Sequence, residues 1–214
     1  MKILKNEPLK QHTSFRVGGP AKVYVVPEDI DELRQLIRFL YKEKLPYDII
    51  GNGTNLLVSD AGVDHVVVEI GRALEGIELL PAANASDAPT SLRVLAGTLL
   101  SKAAQFAATQ ELEGMEALRG IPGTVGGAVT MNAGAYGTEM KDVLLSVEIL
   151  TREGELRTLT PEELELTYRH SVIPERGYIV VAAILALKKG DPVEIQARMA
   201  DFQNRRKEKQ PLDK

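Results

Sequence analysis

The chain has 214 residues, 44% of them hydrophobic, and a net charge of −4 from 26 basic and 30 acidic side chains. That is apolar material for one large domain or two small ones, and no lysine- or arginine-rich run points to nucleic acid as a partner. The lack of cysteine excludes disulfides, thiolate metal sites and cysteine nucleophiles, and three scattered histidines argue against a metal centre.

The N-terminus, MKILKNEPLKQHTSF, has neither a long apolar core nor a cleavage pattern. Nothing approaches the ~18 apolar residues of a membrane span, so the expectation is a soluble, cytoplasmic protein without a membrane partner. Residues 12–20, HTSFRVGGP, set Phe15 and Val17 around Arg16 and end at Gly18-Gly19, which predicts a short strand and a turn. Lys22 to Val26 reads as a strand stopped by Pro27. Asp29 and Glu32 then form a capping-box pair ahead of Leu33, Leu36, Ile37, Leu40 and Tyr41 at helical spacing. Tyr47 to Ile50 returns as a buried strand, completing a β-α-β unit with Gly51 where its second strand ends. Loops at that end of a strand are where α/β proteins usually bind nucleotides.

Gly51-Asn52-Gly53-Thr54-Asn55-Leu56 is neither GxGxxG nor a Walker loop, because the third glycine and the Gly-Lys-Ser/Thr are missing. It still suits a pyrophosphate, with two glycines, the Thr54 hydroxyl and the Asn55 amide. His65 to Ile70 predicts a further strand, and Gly71 to Gly76 a junction between two subdomains. Residues 81–91, PAANASDAPTS, read as an exposed hairpin tip or mobile loop. Leu92 to Ala96 is a strand, and Ser101 to Gln110 an alanine-rich helix with Leu100, Ala103, Ala104 and Ala107 on one face.

The centre of the chain is Gly114 to Glu139, GMEALRGIPGTVGGAVTMNAGAYGTE, uncharged from Ile121 to Thr138. Its glycines allow close approach of the main chain to a bound group, and the run should offer free N–H groups to an anion or to the polar edge of a flat ring. Beyond it, Val143, Leu145, Val147 and Ile149 alternate along a strand, and Arg152-Glu153-Gly154 turns into a partner strand. Thr160-Pro161-Glu162-Glu163 predicts a short helix that delivers Tyr168-Arg169-His170-Ser171. Tyr178 to Leu187 reads as a strand buried on both faces. From Pro192, Ile195, Met199 and Phe202 mark a helix whose last turn carries Arg205, Arg206, Lys207 and Lys209, a charge run that suits a solvated helix end.

Taken together, HTSFRVGGPA (12–21), GNGTNLLVSD (51–60), GIPGTVGGAVTMNAGAYGTE (120–139), YRHS (168–171) and RRKEKQPL (205–212) resemble the UDP-N-acetylenolpyruvoylglucosamine reductase (MurB) family of flavoenzymes, in order and spacing along nearly the whole chain. The resemblance implies an α+β, two-lobed FAD-binding fold of the vanillyl-alcohol-oxidase type, with lobes at 1–72 and 73–190 and a helix at 191–214. It implies that Gly51, Asn52, Gly53, Thr54, Asn55 and Leu56 carry the pyrophosphate. Ile121, Pro122, Gly123, Thr124, Gly126 and Gly127, with Ala133 and Gly134, would line the cofactor cleft. Tyr168 and Arg169 match the family's active-site pair, and the absence of a tyrosine-bearing insertion between Arg169 and Leu187 suits its shorter-loop class.

The family reaction reduces an enolpyruvyl ether on a UDP-sugar to a lactyl ether in peptidoglycan precursor synthesis, with FAD and NADPH. Arg169 would stabilise the enolate-like charge and Tyr168 would help orient the substrate, while His12, His65 and His170 read as structural. Family members continue past Gln210-Pro211-Leu212 into a substrate-binding domain with a serine proton donor, so a chain ending at Lys214 is expected to be a truncated, nearly inactive monomer that can still hold FAD. Two alternatives stay open on the sequence: a flavin-dependent oxidase or dehydrogenase of the same fold, and a non-catalytic nucleotide-binding module.

Overall fold

The computed structural model describes residues 1–80 and 90–210, which form a four-stranded and a six-stranded sheet that share the larger of two apolar clusters, and a two-stranded hairpin. Strand β1 (Lys2–Pro8) pairs antiparallel with β2 (Pro20–Val26), and helix α1 (Ile30–Lys42) crosses over to β3 (Tyr47–Ile50). Strand β4 (Val63–Glu69) lies between β2 and β3, parallel to both. The second sheet starts with β5 (Ile77–Leu80) and β6 (Thr90–Leu95). Helix α2 (Leu100–Thr109), the two-residue β7 (Leu112–Glu113), helix α3 (Val125–Thr130) and the hairpin of β8 (Gly134–Ala135) with β9 (Thr138–Glu139) follow. Then come β10 (Leu144–Leu150), β11 (Leu156–Leu159), the one-turn helix α4 (Ile173–Arg176), β12 (Ile179–Lys189) and α5 (Pro192–Lys209). The sheet runs β11-β10-β12-β6-β5, antiparallel throughout, with β7 at the far end of β12.

The apolar pattern decides which faces pack. On α1, Leu33, Leu36, Ile37 and Leu40 are buried, and each fully buried aliphatic of this kind contributes about 1.5–3 kcal/mol. Tyr41, placed on the same stripe by its spacing, is instead half exposed. Strand β12 is central, and Ile179 to Ala183, Leu185 and Leu187 are buried between its neighbours, as a run without polar alternation should be. The small side chains of Ala103, Ala104 and Ala107 bring α2 close to the second sheet in the cluster that also holds Leu33, Ile37, Val125 and Leu185. Among the described residues, no helix is long and apolar enough to cross a membrane.

The cap on α1 is half the expected box. The Asp29 carboxylate accepts from the Glu32 N–H at 2.7 Å, but the Glu32 carboxylate accepts from the Glu28 N–H and the N-terminal ammonium rather than from Asp29. Replacing Asp29 with alanine leaves the Glu32 N–H without its acceptor and should cost about 1 kcal/mol. Urea unfolding of the two proteins would show it as a lower midpoint at unchanged slope, and an unaltered midpoint would remove the cap from the account.

Four local expectations are corrected. Residues 12–19 form turns rather than a strand, because Arg16 (φ 54°) and Gly18 (φ 125°) are left-handed and the Thr13 hydroxyl and carbonyl bind the Val17 carbonyl and Arg16 N–H. Thr160 and Glu163 do cap each other, yet the helix goes no further than one turn, since Glu165 (φ 52°) reverses the chain. Leu145 is half exposed because a register shift between Leu144 and Ser146 breaks the alternation. Of the 81–91 segment, residues 81–89 lie outside the described residues, and Thr90 and Ser91 belong to β6.

Candidate functional site

The two glycine runs, distant in sequence, meet. The Thr54 hydroxyl donates to the Pro122 carbonyl at 3.3 Å, and the Asn55 amide lies 3.8 Å from the Met131 sulfur. Between them opens a cavity of about 1260 Å³. One wall is the end of β3 and the loop after it, from Tyr47 to Leu56. The other is formed by residues 121–124, 126–128, 130 and 131, with Tyr178 and the first two residues of β12, Ile179 and Val180. All of Gly51, Asn52, Gly53, Thr54, Asn55, Leu56, Ile121, Pro122, Gly123, Thr124, Gly126, Gly127 and Ala133 line it. Gly134 does not; it sits one residue beyond, in β8.

Close packing explains the glycines. Gly53 is left-handed at φ 61°, and a Cβ there would run into the His12 carbonyl. A Cβ on Gly51 would sit 2.7 Å from the Thr124 hydroxyl, and one on Gly126 2.9 Å from the Ala96 Cβ, so these two hold the loop on α3 and α3 on the sheet. The segment at 12–19 supports the loop from below: the Ser14 N–H donates to the Gly53 carbonyl at 3.1 Å and the Gly19 N–H to the Ser59 carbonyl at 2.8 Å.

Free donors are concentrated in the first of the runs, and in the second only Gly123 and Thr124 among the cavity-lining residues from Gly123 to Gly127 keep theirs. The N–H groups of Val125 and Gly126 donate to the Thr98 and Ala96 carbonyls at 2.8 and 2.9 Å, and that of Gly127 to the Thr124 hydroxyl at 3.4 Å. The expectation of free N–H groups there holds for Gly123 and Thr124 but not for Val125, Gly126 and Gly127, because capping and docking α3 consumes those three. By contrast, the N–H groups of Asn52, Gly53, Thr54, Asn55 and Leu56 have no acceptor among the described residues. Lys44, Arg152 and Arg169 line the same cavity, opposed by Asp48, which is paired with His65 at 2.7 Å. Free donors together with an excess of cations suit an elongated anion.

Arg169 reaches the cavity from a tight two-residue loop. Thr167 and His170 exchange N–H···O bonds of 3.2 Å, Arg169 itself is left-handed at φ 57°, and its guanidinium donates to the Gly134 carbonyl at 3.2 Å. Tyr168, at the tip, is 80% exposed and lines no part of the cavity, although its ring lies 5.8 Å from the Arg169 guanidinium. Neither His12, His65 nor His170 lines the cavity; each faces a carboxylate, Glu7, Asp48 and Glu175 respectively. His12 also meets the Tyr24 hydroxyl at 2.8 Å, and burial together with Glu69 pushes that phenol far above its ordinary range. Among the described residues there is no group of three or more His, Asp or Glu that could hold a metal ion.

Sequence reasoning missed part of the wall: Tyr47, Arg152, Ile173, Pro174 and Tyr178 all line the cavity. Burial raises the Tyr47 phenol, with Arg152 acting in the opposite direction. The available signal was positional, since Tyr47 to Ile50 and Tyr178 to Val180 are strand ends beside the glycine runs, with Gly177 left-handed at φ 61° just before β12.

Glu139 links this region electrostatically. Its carboxylate pairs with Lys141 at 2.8 Å and accepts from Asn132 at 2.9 Å, and with the Arg169 charge nearby these hold it below the ordinary carboxylate range. The folded value being depressed, the stabilisation is complete above the usual pKa of ~4.3 and is lost as pH falls below it. Glu139→Gln should therefore lower the urea midpoint at pH 7, and the gap from the parent should narrow at pH 3. A gap of equal size at both pH values would rule out the charge as its cause.

Comparison with known proteins gives consistent matches. Residues 21–160 match the FAD binding domain family. A UDP-N-acetylenolpyruvoylglucosamine reductase from Agathobacter rectalis is 46% identical over 99% of this chain and 68% of its own length. The crystal structure of the UDP-N-acetylenolpyruvylglucosamine reductase (MurB) from Thermus caldophilus superposes with a TM-score of 0.81 at 38% identity, covering 98% of this chain and 70% of that one. A VAO-type flavoprotein from Myceliophthora thermophila shares the fold alone, with a TM-score of 0.57 at 15% identity over 79% of this chain and 32% of that one. The chain thus spans about two thirds of the length of the reductases it matches.

Proposed function

The chain belongs to the UDP-N-acetylenolpyruvoylglucosamine reductase family, and from that membership we propose that it is the FAD-holding part of an enzyme reducing the enolpyruvyl ether of a UDP-sugar to UDP-N-acetylmuramate in peptidoglycan synthesis. The observation that carries this reading is the row of unpartnered N–H groups from Asn52 to Leu56, facing α3 across a 1260 Å³ cavity. Five adjacent donors match the oxygens of a pyrophosphate, and the Gly51 and Gly53 positions admit no side chain that would fill the cradle.

When bound, FAD would supply the hydride-transfer chemistry between NADPH and the substrate. The protein's part is binding, orientation and charge. Residues 52–56 hold the diphosphate, with Lys44 and Arg152 adding positive charge along the cavity. The cavity-lining residues between Ile121 and Met131, with Tyr178, Ile179 and Val180, would exclude water from the flavin ring. Arg169, fixed by the Gly134 carbonyl, presents a permanent cation to the carboxylate of the enolpyruvyl group and to the charge that builds beside it. Tyr168 serves at the outer rim.

We further propose that full turnover by these 214 residues alone is slow. Ser171 is buried and donates its hydroxyl to the Thr130 carbonyl at 2.5 Å, so its proton is not available to the substrate carbon. A cytoplasmic monomer completes the reading. Titrating the apo chain with FAD, followed by visible absorbance and flavin fluorescence, tests the whole. Saturable binding that is lost when residues 52–56 are replaced supports it. An absence of binding, with or without added UDP-sugar, would leave only an interaction module.

A further inference from the structure

Asn132 is 1% exposed, left-handed at φ 42°, and uses its whole carboxamide. Its nitrogen donates to the Glu139 carboxylate and to the Thr167 carbonyl, each at 2.9 Å, and its oxygen accepts from the Lys141 N–H at 3.0 Å. Thr167 is one of the two residues whose paired bonds close the Tyr168-Arg169 loop. The far end of Arg169 rests on Gly134, two positions beyond Asn132, and its charge is felt by the Glu139 carboxylate. The Asn132 amide is therefore bonded directly to the loop that carries Arg169 and, through Glu139, which pairs with Gly134 across the hairpin, to the strand that holds its guanidinium.

We propose that Asn132 is the positioning residue for Arg169, tying the 167–170 loop to the β8–β9 hairpin so that the guanidinium stays in the cavity. The inference rests on Arg169 being the cation of the proposed reaction, but the tie itself can be tested without that reading. Asparagine suits the site because its amide both donates and accepts, and because it tolerates φ 42° better than other side-chain residues. Buried and fully bonded, it lacks a substitute in water.

Asn132→Gly keeps the backbone conformation and removes only the amide. In the apo chain, hydrogen exchange read by mass spectrometry should speed up at least ~10-fold across 167–170 while α1 and β12 keep their protection. In the FAD-loaded chain, sulfite addition to the flavin, which leaves an anionic adduct, should weaken to the extent seen in Arg169→Ala. The double variant should show no further loss. Should Asn132→Gly not fold, Asn132→Asp, equal in size but as a carboxylate unable to donate at all, carries the same tests. Unchanged exchange at 167–170 overturns the proposal. Faster exchange with sulfite affinity unmoved by Arg169→Ala upholds the tie and refutes the cation role instead.

Discussion

Replacing Gly53 with alanine is expected to weaken FAD binding at least ~100-fold. Two costs coincide there: a left-handed φ of 61°, worth roughly 1–2 kcal/mol for a residue with Cβ, and an overlap with the His12 carbonyl that only backbone movement relieves. Moving the loop misaligns several N–H groups at once, at about 1.5–3 kcal/mol for each hydrogen bond to a charged diphosphate lost. Two such bonds already give ~100-fold. Gly127→Ala is the informative contrast. Its Cβ would meet nothing nearer than the Thr124 hydroxyl at 3.7 Å, inside a helix and facing the cavity. The apo chain should tolerate it, or gain up to ~1 kcal/mol from helix propensity, while FAD affinity falls. Equilibrium titration and thermal melts on both variants decide the matter, and an unchanged affinity in Gly53→Ala would displace the ligand from this loop.

Arg169→Ala should slow the reoxidation of reduced, FAD-loaded chain by enolpyruvyl substrate by ~10²–10³, the usual loss for one stabiliser of developing charge. FAD affinity should change little, because the guanidinium is anchored to Gly134 rather than to the diphosphate loop. Arg169→Lys should recover only part of the rate, since an ammonium keeps the charge but loses the fork that binds carboxylate in two places. Stopped-flow measurement in a single turnover separates this step from any later proton delivery. If Arg169→Ala reacted as fast as the parent, the cation would have to be another of the cavity's charges, Lys44 or Arg152.

What the sequence made legible follows from which interactions are local. Asp29 with the 33-36-37-40 stripe specified α1, and the unbroken apolar run of 178–187 specified a central strand, because cap and burial are written in adjacent residues. Strand β1, Lys2–Pro8, was missed: it is an edge strand with charged and exposed positions, held by its pairing with β2 rather than by its own pattern. The one-turn stop after Thr160 was missed because Glu165 takes a left-handed conformation that no glycine announces. In the site, the glycine positions were readable, but which N–H groups of the second run are taken up was not. That depends on Thr98 and Ala96, on the far side of the core, which accept from Val125 and Gly126. Tyr168 stood out through the motif, yet only the fold shows that it is exposed and lines no part of the cavity its neighbour enters.

The placement of β12 has a consequence for how quickly the molecule can assemble. It is the final strand in the described chain and the one that β6, β7 and β10 all pair with, so the second sheet cannot close until it arrives. Joining residues in the 90s to residues in the 180s sacrifices much chain freedom before any contact is rewarded, the regime of slow, millisecond-to-second kinetics. Until then Ile179 to Leu187 is an uncovered β-prone segment without a charge or a proline to interrupt self-association. Refolding yield should consequently fall with rising protein concentration, even where the native state, once reached, persists.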